Sequence, residues 1–411
     1  MKNSTKLLIK NSFMQYLMYA AKMIFPLITL PYMTRVLSVD SYGAYTYVNT
    51  CMSYAVILID FGFMLSATKN IVAAKDDKNK IGEIIGSVIA AKIILAAIAA
   101  VAICIMIFCI DLLRNYVLFT FLMFAAVCID ILLPDYLFRA LEKMGIITYR
   151  FLICKTISTV LLFVLVKNDS DLLFVPVLNI ISEIIAVVTT LIYVYKSDIH
   201  IHISGFRNSL KTLKEGNVYF ISNFATTAFG AFNTLLIGIF FNAEDVAFWG
   251  VSMQLINAAQ GLYSPIINSA YPRMLKDKNI KLILNILKIF MPLILIACLG
   301  CYLLAGEILT LLCGAQYLPA AKTFQLLLPV LIFSFPAMLL GWPTLGAIDK
   351  VKQTTTTTII ASIVQVALIG ILLLANSFTI INLAIMRGLT ELTLLLSRAS
   401  LCIKYKKELV E

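Results

Sequence analysis

Long apolar stretches separated by short polar connections run through the whole chain. Twelve of them hold about 20 predominantly apolar residues each, which is the length that a transmembrane helix needs to cross the hydrocarbon core. They cover residues 12–34, 44–66, 84–107, 112–136, 147–166, 172–195, 219–241, 246–268, 282–304, 324–345, 356–375 and 378–401. The pattern therefore predicts an all-α integral membrane protein with twelve transmembrane helices.

The composition agrees with a membrane protein. Of the 411 residues, 61% are hydrophobic and 13% are charged, whereas a soluble domain carries about 25% charged residues. A net charge of +11 would suit nucleic-acid binding, but the cations lie in short clusters between the apolar stretches. Such clusters orient helices in the membrane and contact anionic lipid headgroups. We therefore expect membrane lipids, and no nucleic acid, among the partners.

The positive charges are distributed unequally between the two sides of the predicted bundle. Twelve spans place 23 Lys and Arg residues on one side, with Arg150 counted among them, and four on the other. Because cytoplasmic loops carry the excess of positive charge, both termini are predicted to be cytoplasmic. The first stretch is too long for the apolar core of a signal peptide, so we expect it to remain as a span.

The longest connection divides the spans into two groups of six. It predicts an N-terminal six-helix lobe over residues 1–196, a cytoplasmic linker over residues 197–216 and a C-terminal six-helix lobe over residues 217–411. Residues 206–215 of the linker are expected to form a short basic helix on the inner membrane surface. Two similarly oriented six-helix lobes are a transporter architecture in which the substrate path lies between the lobes.

Charged side chains inside the spans are candidates for function, because a charge at the bilayer centre costs about 2.5–3.5 kcal/mol on insertion scales. The cations of this group are Lys22, Lys92, Lys155 and Arg387. The anions are Asp60, Asp130, Glu183 and Glu391. Lys288 and Arg398 lie nearer the cytoplasmic ends of their spans, and we expect their side chains to reach water.

Depth along the spans suggests how these charges pair. Asp60 is placed to approach Lys22, and Asp130 to approach Lys155, while Arg387 and Glu391 lie one helical turn apart on the same face. Such pairs either neutralise each other and hold a lobe together, or break and re-form to couple H⁺ or Na⁺ to helix motion. The sequence leaves both interpretations open.

The second lobe begins with neutral polar residues at helical spacing instead of charges. Asn223 and Asn233 lie on one face of the seventh span, and Gln254 and Asn257 lie on one face of the eighth. This polar stripe either packs helices against each other or offers amide groups to a polar ligand such as a sugar chain. The chain has no P-loop and no cluster of metal-ligating residues, so we expect neither an ATPase nor a metal site.

Five stretches of the chain resemble one known family. They are FPLITLPYMTRVLSVDSYGAY (25–45), DFGFMLSATKNIVAAKDDK (60–78), LFRALEKMGIITYR (137–150), SNFATTAFGAFNTLLIGIFF (222–241) and SPIINSAYPRM (264–274). With its twelve-span plan, the sequence resembles the Wzx-type repeat-unit flippases of O-antigen and capsular polysaccharide synthesis. These belong to the multidrug/oligosaccharidyl-lipid/polysaccharide exporter superfamily. One departure is that Arg139 and Ala140 stand where a Gln-Gly pair is common.

The resemblance implies a MATE-like fold in the bacterial cytoplasmic (inner) membrane and a transport function without catalysis. The implied substrate is an undecaprenyl-pyrophosphate-linked oligosaccharide, turned from the inner to the outer leaflet by alternating access. Other polysaccharide-assembly proteins are expected partners, and no cofactor is expected beyond H⁺ or Na⁺ coupling.

The resemblance also suggests roles for the candidate residues. The pyrophosphate would be bound by Lys22, Lys92, Lys155 and Arg387. The sugars would face Asn223, Asn233, Gln254 and Asn257. The coupling ion would act on Asp60, Asp130, Glu183 and Glu391.

Three alternatives remain open at this point. A drug or cation antiporter of the same superfamily would need an anionic cavity, whereas the first lobe offers as many buried cations as anions. A flippase for lipid-linked peptidoglycan precursors often has spans beyond twelve. A membrane polysaccharide polymerase or ligase would carry a sizeable outward loop with Arg and His, and residues 307–322 contain neither.

Overall fold

The computed structural model describes residues 2–75, 77–202 and 206–409; the side chains of residues 2–6, 8, 206, 207, 218, 219 and 221–230 are outside this description. Helices dominate the described residues. In chain order they are α1 (Lys2–Val36), α2 (Val39–Asp60), α3 (Phe63–Ala74), α4 (Lys78–Cys109), α5 (Asp111–Asn115), α6 (Val117–Asp130), α7 (Asp135–Ala140), α8 (Met144–Leu165), α9 (Phe174–Lys196), α10 (Phe206–Phe240), α11 (Ala243–Gly261), α12 (Ser264–Asp277), α13 (Ile280–Leu303), α14 (Ala305–Cys313), α15 (Ala321–Leu339), α16 (Val351–Leu374) and α17 (Ile380–Lys404).

Ten helices or broken helices in the described part are long and apolar enough to cross a membrane. They correspond to ten of the twelve predicted stretches, and the protein is a multi-pass membrane protein. The stretch 219–241 falls on α10, where many side chains are outside the description. The stretch 246–268 falls on α11 and the start of α12, where the polar stripe lowers the hydropathy. The count of twelve and the cytoplasmic termini therefore stay predictions.

The helices form two compact units, Met1–Val246 and Ala247–Glu411. In the first unit α8 packs on α1 and α9, α6 packs on α9, and α10 packs on α2 and α4. In the second unit α17 packs on α15 and α16, and α13 packs on α15. The predicted lobe boundaries refer to the membrane topology and stay a prediction.

The start of α10 differs from the sequence-based expectation. Residues 206–215 were expected to form a separate short helix, but they are the first turns of a continuous helix that ends at Phe240. Neighbouring helices support these turns. Phe220 stacks on Phe61 with ring centroids 4.4 Å apart, and Asn70 donates a hydrogen bond to Glu215 at 2.8 Å.

Two spans of the first unit are broken. α2 ends at Asp60 because Phe61 and Gly62 both have positive φ angles, 41° and 74°, which an α-helix does not continue through. α6 ends at Asp130, and α7 begins directly after Pro134, which has no N–H to donate. Backbone groups freed at such breaks need partners from the protein or from water. Both breaks also place a carboxylate at the point where the helix stops.

A third break lies in the second unit. α15 ends at Leu339 and passes into a π-helical turn, Leu340–Leu345. Within this turn Gly341 has φ −72° and ψ −111°, which is not helical. The helix therefore bends at Gly341.

Side-chain caps fix the starts of several helices, α2 and α4 among them. Ser38 accepts the N–H of Ser41 at 3.2 Å, and Asp77 accepts the N–H of Lys80 at 3.2 Å. The second bond is the main reason why the pKa of Asp77 lies below its usual value. The Asp77 cap is therefore fully formed at neutral pH and is lost only as the pH falls through that lowered value.

Two glycines of the first unit allow a close approach of helices. A Cβ atom at Gly43 would lie 1.9 Å from the backbone oxygen of Ala243, and one at Gly238 would lie 2.0 Å from the ring of Tyr47. Tyr47 donates a hydrogen bond to Leu235 O at 3.2 Å across the same contact. Small residues let helix backbones approach in this way.

We expect Gly43→Ala to destabilise the protein, because its Cβ meets backbone atoms that cannot turn away. Overpacking of this kind costs about 1–3 kcal/mol. Gly300→Ala is the matched control, since nothing lies within 4 Å of a Cβ at Gly300. Thermal melting of the purified full chain measures the difference. Equal melting temperatures for the two variants would contradict the close approach.

Candidate functional site

A polar cavity of about 280 Å³ lies inside the first unit, lined by α1, α6, α8 and α9 and by the start of α7. Its lining includes three cations and three anions, together with the polar side chains of Asn179 and Ser182. The charged lining residues are Lys22, Arg150, Lys155, Asp130, Asp135 and Glu183. A cavity in a membrane protein that collects six charged groups is a functional-site candidate.

Helical spacing explains how one cavity collects these side chains. On α9, Asn179, Ser182, Glu183 and Ala186 follow each other at steps of three, one and three, which places them on one face. On α8, the cavity-lining residues between Ile147 and Lys155 also lie on one face. Because α8 packs on both α1 and α9, the polar faces of the three helices meet.

One pair of lining residues is fully engaged. Nη2 of Arg150 donates to both carboxylate oxygens of Asp135, at 2.7 and 2.9 Å. Nη1 of the same guanidinium donates to Thr190 Oγ1 at 2.9 Å. Charge-assisted bonds of this length are among the stronger polar contacts. This pair therefore holds α7, α8 and α9 together at the break after α6.

The other four charged lining residues have no such partner. Within the described ranges, no ion pair engages Lys22, Lys155, Asp130 or Glu183. Lys22 Nζ lies 5.6 Å from the centroid of the Phe151 ring, a distance typical of a cation–π contact. These four side chains are the ones available to a ligand or an ion.

Asp130 was predicted to approach Lys155, but the two residues do not form an ion pair. Both residues line the cavity, but the carboxylate that acts on Lys155 belongs to Glu183. Asp130 is attracted to Lys92 and, more weakly, to Arg150, and it is repelled by Asp60 and Asp135. It is the last residue of α6, where that span breaks.

Asp60 pairs with Lys92, so the predicted approach of Asp60 to Lys22 is wrong. Lys92 Nζ lies 2.7 Å from Asp60 Oδ1. Helix packing decides this choice, because α4 packs on α2 while α1 packs mainly on α8. Lys92 is 4% exposed, whereas the Asp60 side chain is 43% exposed. The pair thus buries the cation and leaves the anion partly exposed.

In the second unit Arg387 and Glu391 form an ion pair at 2.7 Å, which confirms the prediction from their spacing. Both side chains are largely buried, at 17% and 10% exposure. Arg398 contradicts the expectation that it reaches water, because it is buried and donates to the backbone oxygen of Ala337 at 2.8 Å.

The members of the polar stripe lie in different environments. Asn233 is buried and has a polar or electrostatic partner, as does the half-buried Gln254. Asn257 is exposed, and the side chain of Asn223 lies outside the described residues. The contact of this stripe with sugars stays a prediction.

Sequence reasoning missed the pair of Asp135 and Arg150. Arg150 was counted with the cytoplasmic loop cations, although it falls inside the apolar stretch 147–166. Its position inside an apolar stretch was the signal that could have identified Arg150 as a buried cation. The break at Pro134, which turns Asp135 toward α8, had no comparable signal in the apolar pattern.

We expect Asp60→Asn to lower stability more than Lys92→Met. The first change leaves a buried ammonium without its counter-charge. Because the Asp60 side chain is 43% exposed, we expect a cost below the figure of about 3–5 kcal/mol for breaking a fully buried pair. The second change leaves a carboxylate that is already half-exposed and fills the buried position with an apolar chain. Thermal melting and membrane abundance of both variants measure the order. A larger loss of stability for Lys92→Met would contradict this order. It would mean that the unpaired carboxylate costs more than the unpaired ammonium.

Comparison with known proteins assigns the chain to a family. Residues 8–278 match the family model described as "Polysaccharide biosynthesis protein". Two relatives carry the name "Putative O-antigen transporter". The protein of Escherichia coli (strain K12) is 25% identical over 250 residues, which is 61% of this chain and 60% of the relative. The protein of Shigella dysenteriae is 27% identical over 272 residues, covering 65% and 67%. The match thus spans about three fifths of the E. coli relative.

Solved structures share the fold. The structure described as "Lipid II flippase MurJ, inward closed conformation" gives a TM-score of 0.69 at 12% identity, over 97% of this chain and 87% of that one. An inward-facing multidrug resistance MATE family transporter of the MOP superfamily gives 0.64 at 15% identity, over 94% and 99%. At these identities the likeness concerns the fold alone. The chain therefore belongs to the polysaccharide biosynthesis protein family and has the helical fold of the MATE and MurJ transporters.

Proposed function

We propose that the protein is a flippase that moves an undecaprenyl-pyrophosphate-linked oligosaccharide across the bacterial cytoplasmic membrane, for O-antigen or capsule synthesis. The observation that carries this proposal is the polar cavity of the first unit, where Lys22 and Lys155 have no ion-pair partner among the described residues. The family and the names of the two relatives support a polysaccharide cargo. The shared fold supports transport between leaflets.

The four proposed anion-binding cations differ in how readily they can bind pyrophosphate. Lys22 and Lys155 are free to make charge-assisted bonds to phosphate oxygens. Lys92 and Arg387 are held by Asp60 and Glu391 at 2.7 Å each. The second pair of cations can therefore contact the substrate only in a conformation in which their ion pairs have opened.

The carboxylates divide in the same way. Asp130 and Glu183 line the cavity without an ion pair in the described part of the chain, so binding of H⁺ or Na⁺ would change the charge of the cavity directly. Asp60 and Glu391 would respond by releasing their cations. An ion drives a conformational change only if it binds one state better than the other. In our proposal, the two conformations differ in ion affinity because these two ion pairs are closed in one and open in the other. Alternating access is proposed to be the exchange between these conformations.

The polar stripe is proposed to contact the sugar chain. Exposed Asn257 offers both a donor and an acceptor, and the half-buried Gln254 lies one turn away on the same helix. In the first unit, Asn223 and Asn233 of α10 are proposed to contact sugar as well. Amide groups suit sugar hydroxyls because they both donate and accept hydrogen bonds.

The mixed charge of the cavity argues against the drug antiporter alternative. A site for cationic drugs needs an excess of carboxylates, whereas three cations and three anions line this cavity. The peptidoglycan-precursor alternative shares the anionic lipid headgroup and differs in its sugars, so the cargo experiment below has to separate the two.

We expect Lys22→Gln combined with Lys155→Gln to abolish surface polysaccharide in a strain that lacks the chromosomal gene. Each lost charge-assisted bond is worth about 1.5–3 kcal/mol, so the double variant should lose at least about a hundredfold in headgroup affinity. Lys288→Gln is the control, since Lys288 is an exposed cation of α13 that contacts no part of the cavity.

Immunodetection of surface polysaccharide at matched membrane levels of the protein gives the readout. Full polysaccharide in the double variant would remove these two lysines from the proposed site. Normal polysaccharide in the gene deletion, together with a defect in cell-wall growth, would point to the peptidoglycan-precursor alternative.

A further inference from the structure

Three backbone carbonyls at the bend of α15, inside the second unit, accept hydrogen bonds from side chains. The bonds run from Arg398 Nη1 to Ala337 O at 2.8 Å, from Thr344 Oγ1 to Leu339 O at 2.9 Å and from Cys402 Sγ to Leu340 O at 3.8 Å. An unsatisfied carbonyl in the membrane costs several kcal/mol, so these side-chain hydrogen bonds add to the stability of the bend.

Arg398 is the strongest of these donors. It is 8% exposed, and each of its three nitrogens donates a hydrogen bond. Besides the bond to Ala337, Nε donates to Thr357 Oγ1 at 3.3 Å and Nη2 donates to Thr358 Oγ1 at 3.2 Å. The guanidinium on α17 thus connects the end of α15 with the threonines of α16. No ion pair engages it among the residues described.

Gly341 leaves the space that the guanidinium fills. A Cβ at this position would lie 2.8 Å from Nη1 and 3.1 Å from Cζ of Arg398. Because glycine has no side chain, this position leaves room for the guanidinium. The far end of an arginine usually moves aside at little cost, but this one is held by three hydrogen bonds and by burial.

From this geometry we infer that Arg398 is a positioning residue that fixes the bend of α15 at Gly341. A planar guanidinium can reach three acceptors in different directions, whereas a lysine ammonium is a compact point charge without that fork. The bend in turn positions the π-helical turn Leu340–Leu345, which packs on α12. Arg398 therefore controls where this turn meets α12. The inference stands on the geometry of the second unit and does not depend on the proposed cargo.

Trp342 reports on the bend because it follows Gly341 directly. It is 54% exposed, whereas Trp249 is buried, and these are the two tryptophans of the chain. Trp249→Phe therefore leaves Trp342 at the bend as the one tryptophan of the chain. In that background we expect Arg398→Lys and Arg398→Gln to change the acrylamide quenching of Trp342, while Lys288→Gln leaves it unchanged.

A double-mutant cycle on melting temperature tests the contact itself. Gly341→Ala should destabilise the protein when Arg398 is present, because the new methyl group displaces the guanidinium. In the Arg398→Ala background the space is empty, so the same change should cost clearly less. Gly370→Ala on α16, where nothing lies within 4 Å of a Cβ, should behave identically in both backgrounds.

Two results would overturn the inference. One is an equal effect of Gly341→Ala with and without Arg398, which would mean that the guanidinium does not occupy that space. The other is quenching of Trp342 in Arg398→Lys that equals the parent, which would mean that any buried cation suffices. If Arg398→Gln does not fold, the lysine variant and the cycle through Gly341→Ala still decide between these outcomes.

Discussion

Polar groups that a broken helix exposes inside a membrane must be satisfied by neighbouring helices, and this constraint organises the structure. Each of three broken spans receives a cation from an adjacent helix. Lys92 of α4 binds Asp60 where α2 stops, and Arg150 of α8 binds Asp135 where α7 starts. The third cation, Arg398, donates to the backbone oxygen of Ala337 where α15 bends. The breaks and the buried cations therefore form a matched set.

In the first unit, this matching separates the buried charges into two groups. Charges beside a break are engaged by their neighbours and hold the bundle together. Charges away from a break, above all Lys22, Lys155 and Glu183, line the polar cavity without an ion pair in the described ranges. Asp130 belongs to both groups, since it ends α6 at a break and also lines the cavity. A substrate headgroup or a coupling ion would meet the second group first, and the engaged pairs would respond afterwards.

The sequence predicted the elements better than the contacts. Apolar stretches of spanning length gave ten spans that the structure reproduces, because apolar length alone is required to cross a bilayer. The pair of Arg387 and Glu391 was predicted correctly, since one helix determines both positions. The partner of Asp60 was not, because it depends on which helix packs beside α2. Depth along a span says nothing about that choice.

The burial of Arg398 was missed for a related physical reason. Its position near the end of its span suggested that its long side chain reaches water. The bend at Gly341 leaves a space beside the carbonyl of Ala337. The guanidinium of Arg398 fills that space and donates a hydrogen bond to the carbonyl. No sequence pattern in the apolar stretch 324–345 marked the bend, because the prolines in it (Pro329, Pro336 and Pro343) allow several break points.

The leaflet in which lipid-linked repeat units reside is the most direct test of the central claim. Spheroplasts of a strain lacking the gene can be labelled with a membrane-impermeant lectin or oxidant and compared with the complemented strain. Our account predicts that lipid-linked oligosaccharide accumulates in the deletion strain and stays shielded on the cytoplasmic leaflet, and that the wild-type gene restores labelling. Equal labelling of the outer leaflet with and without the protein would contradict a flippase function.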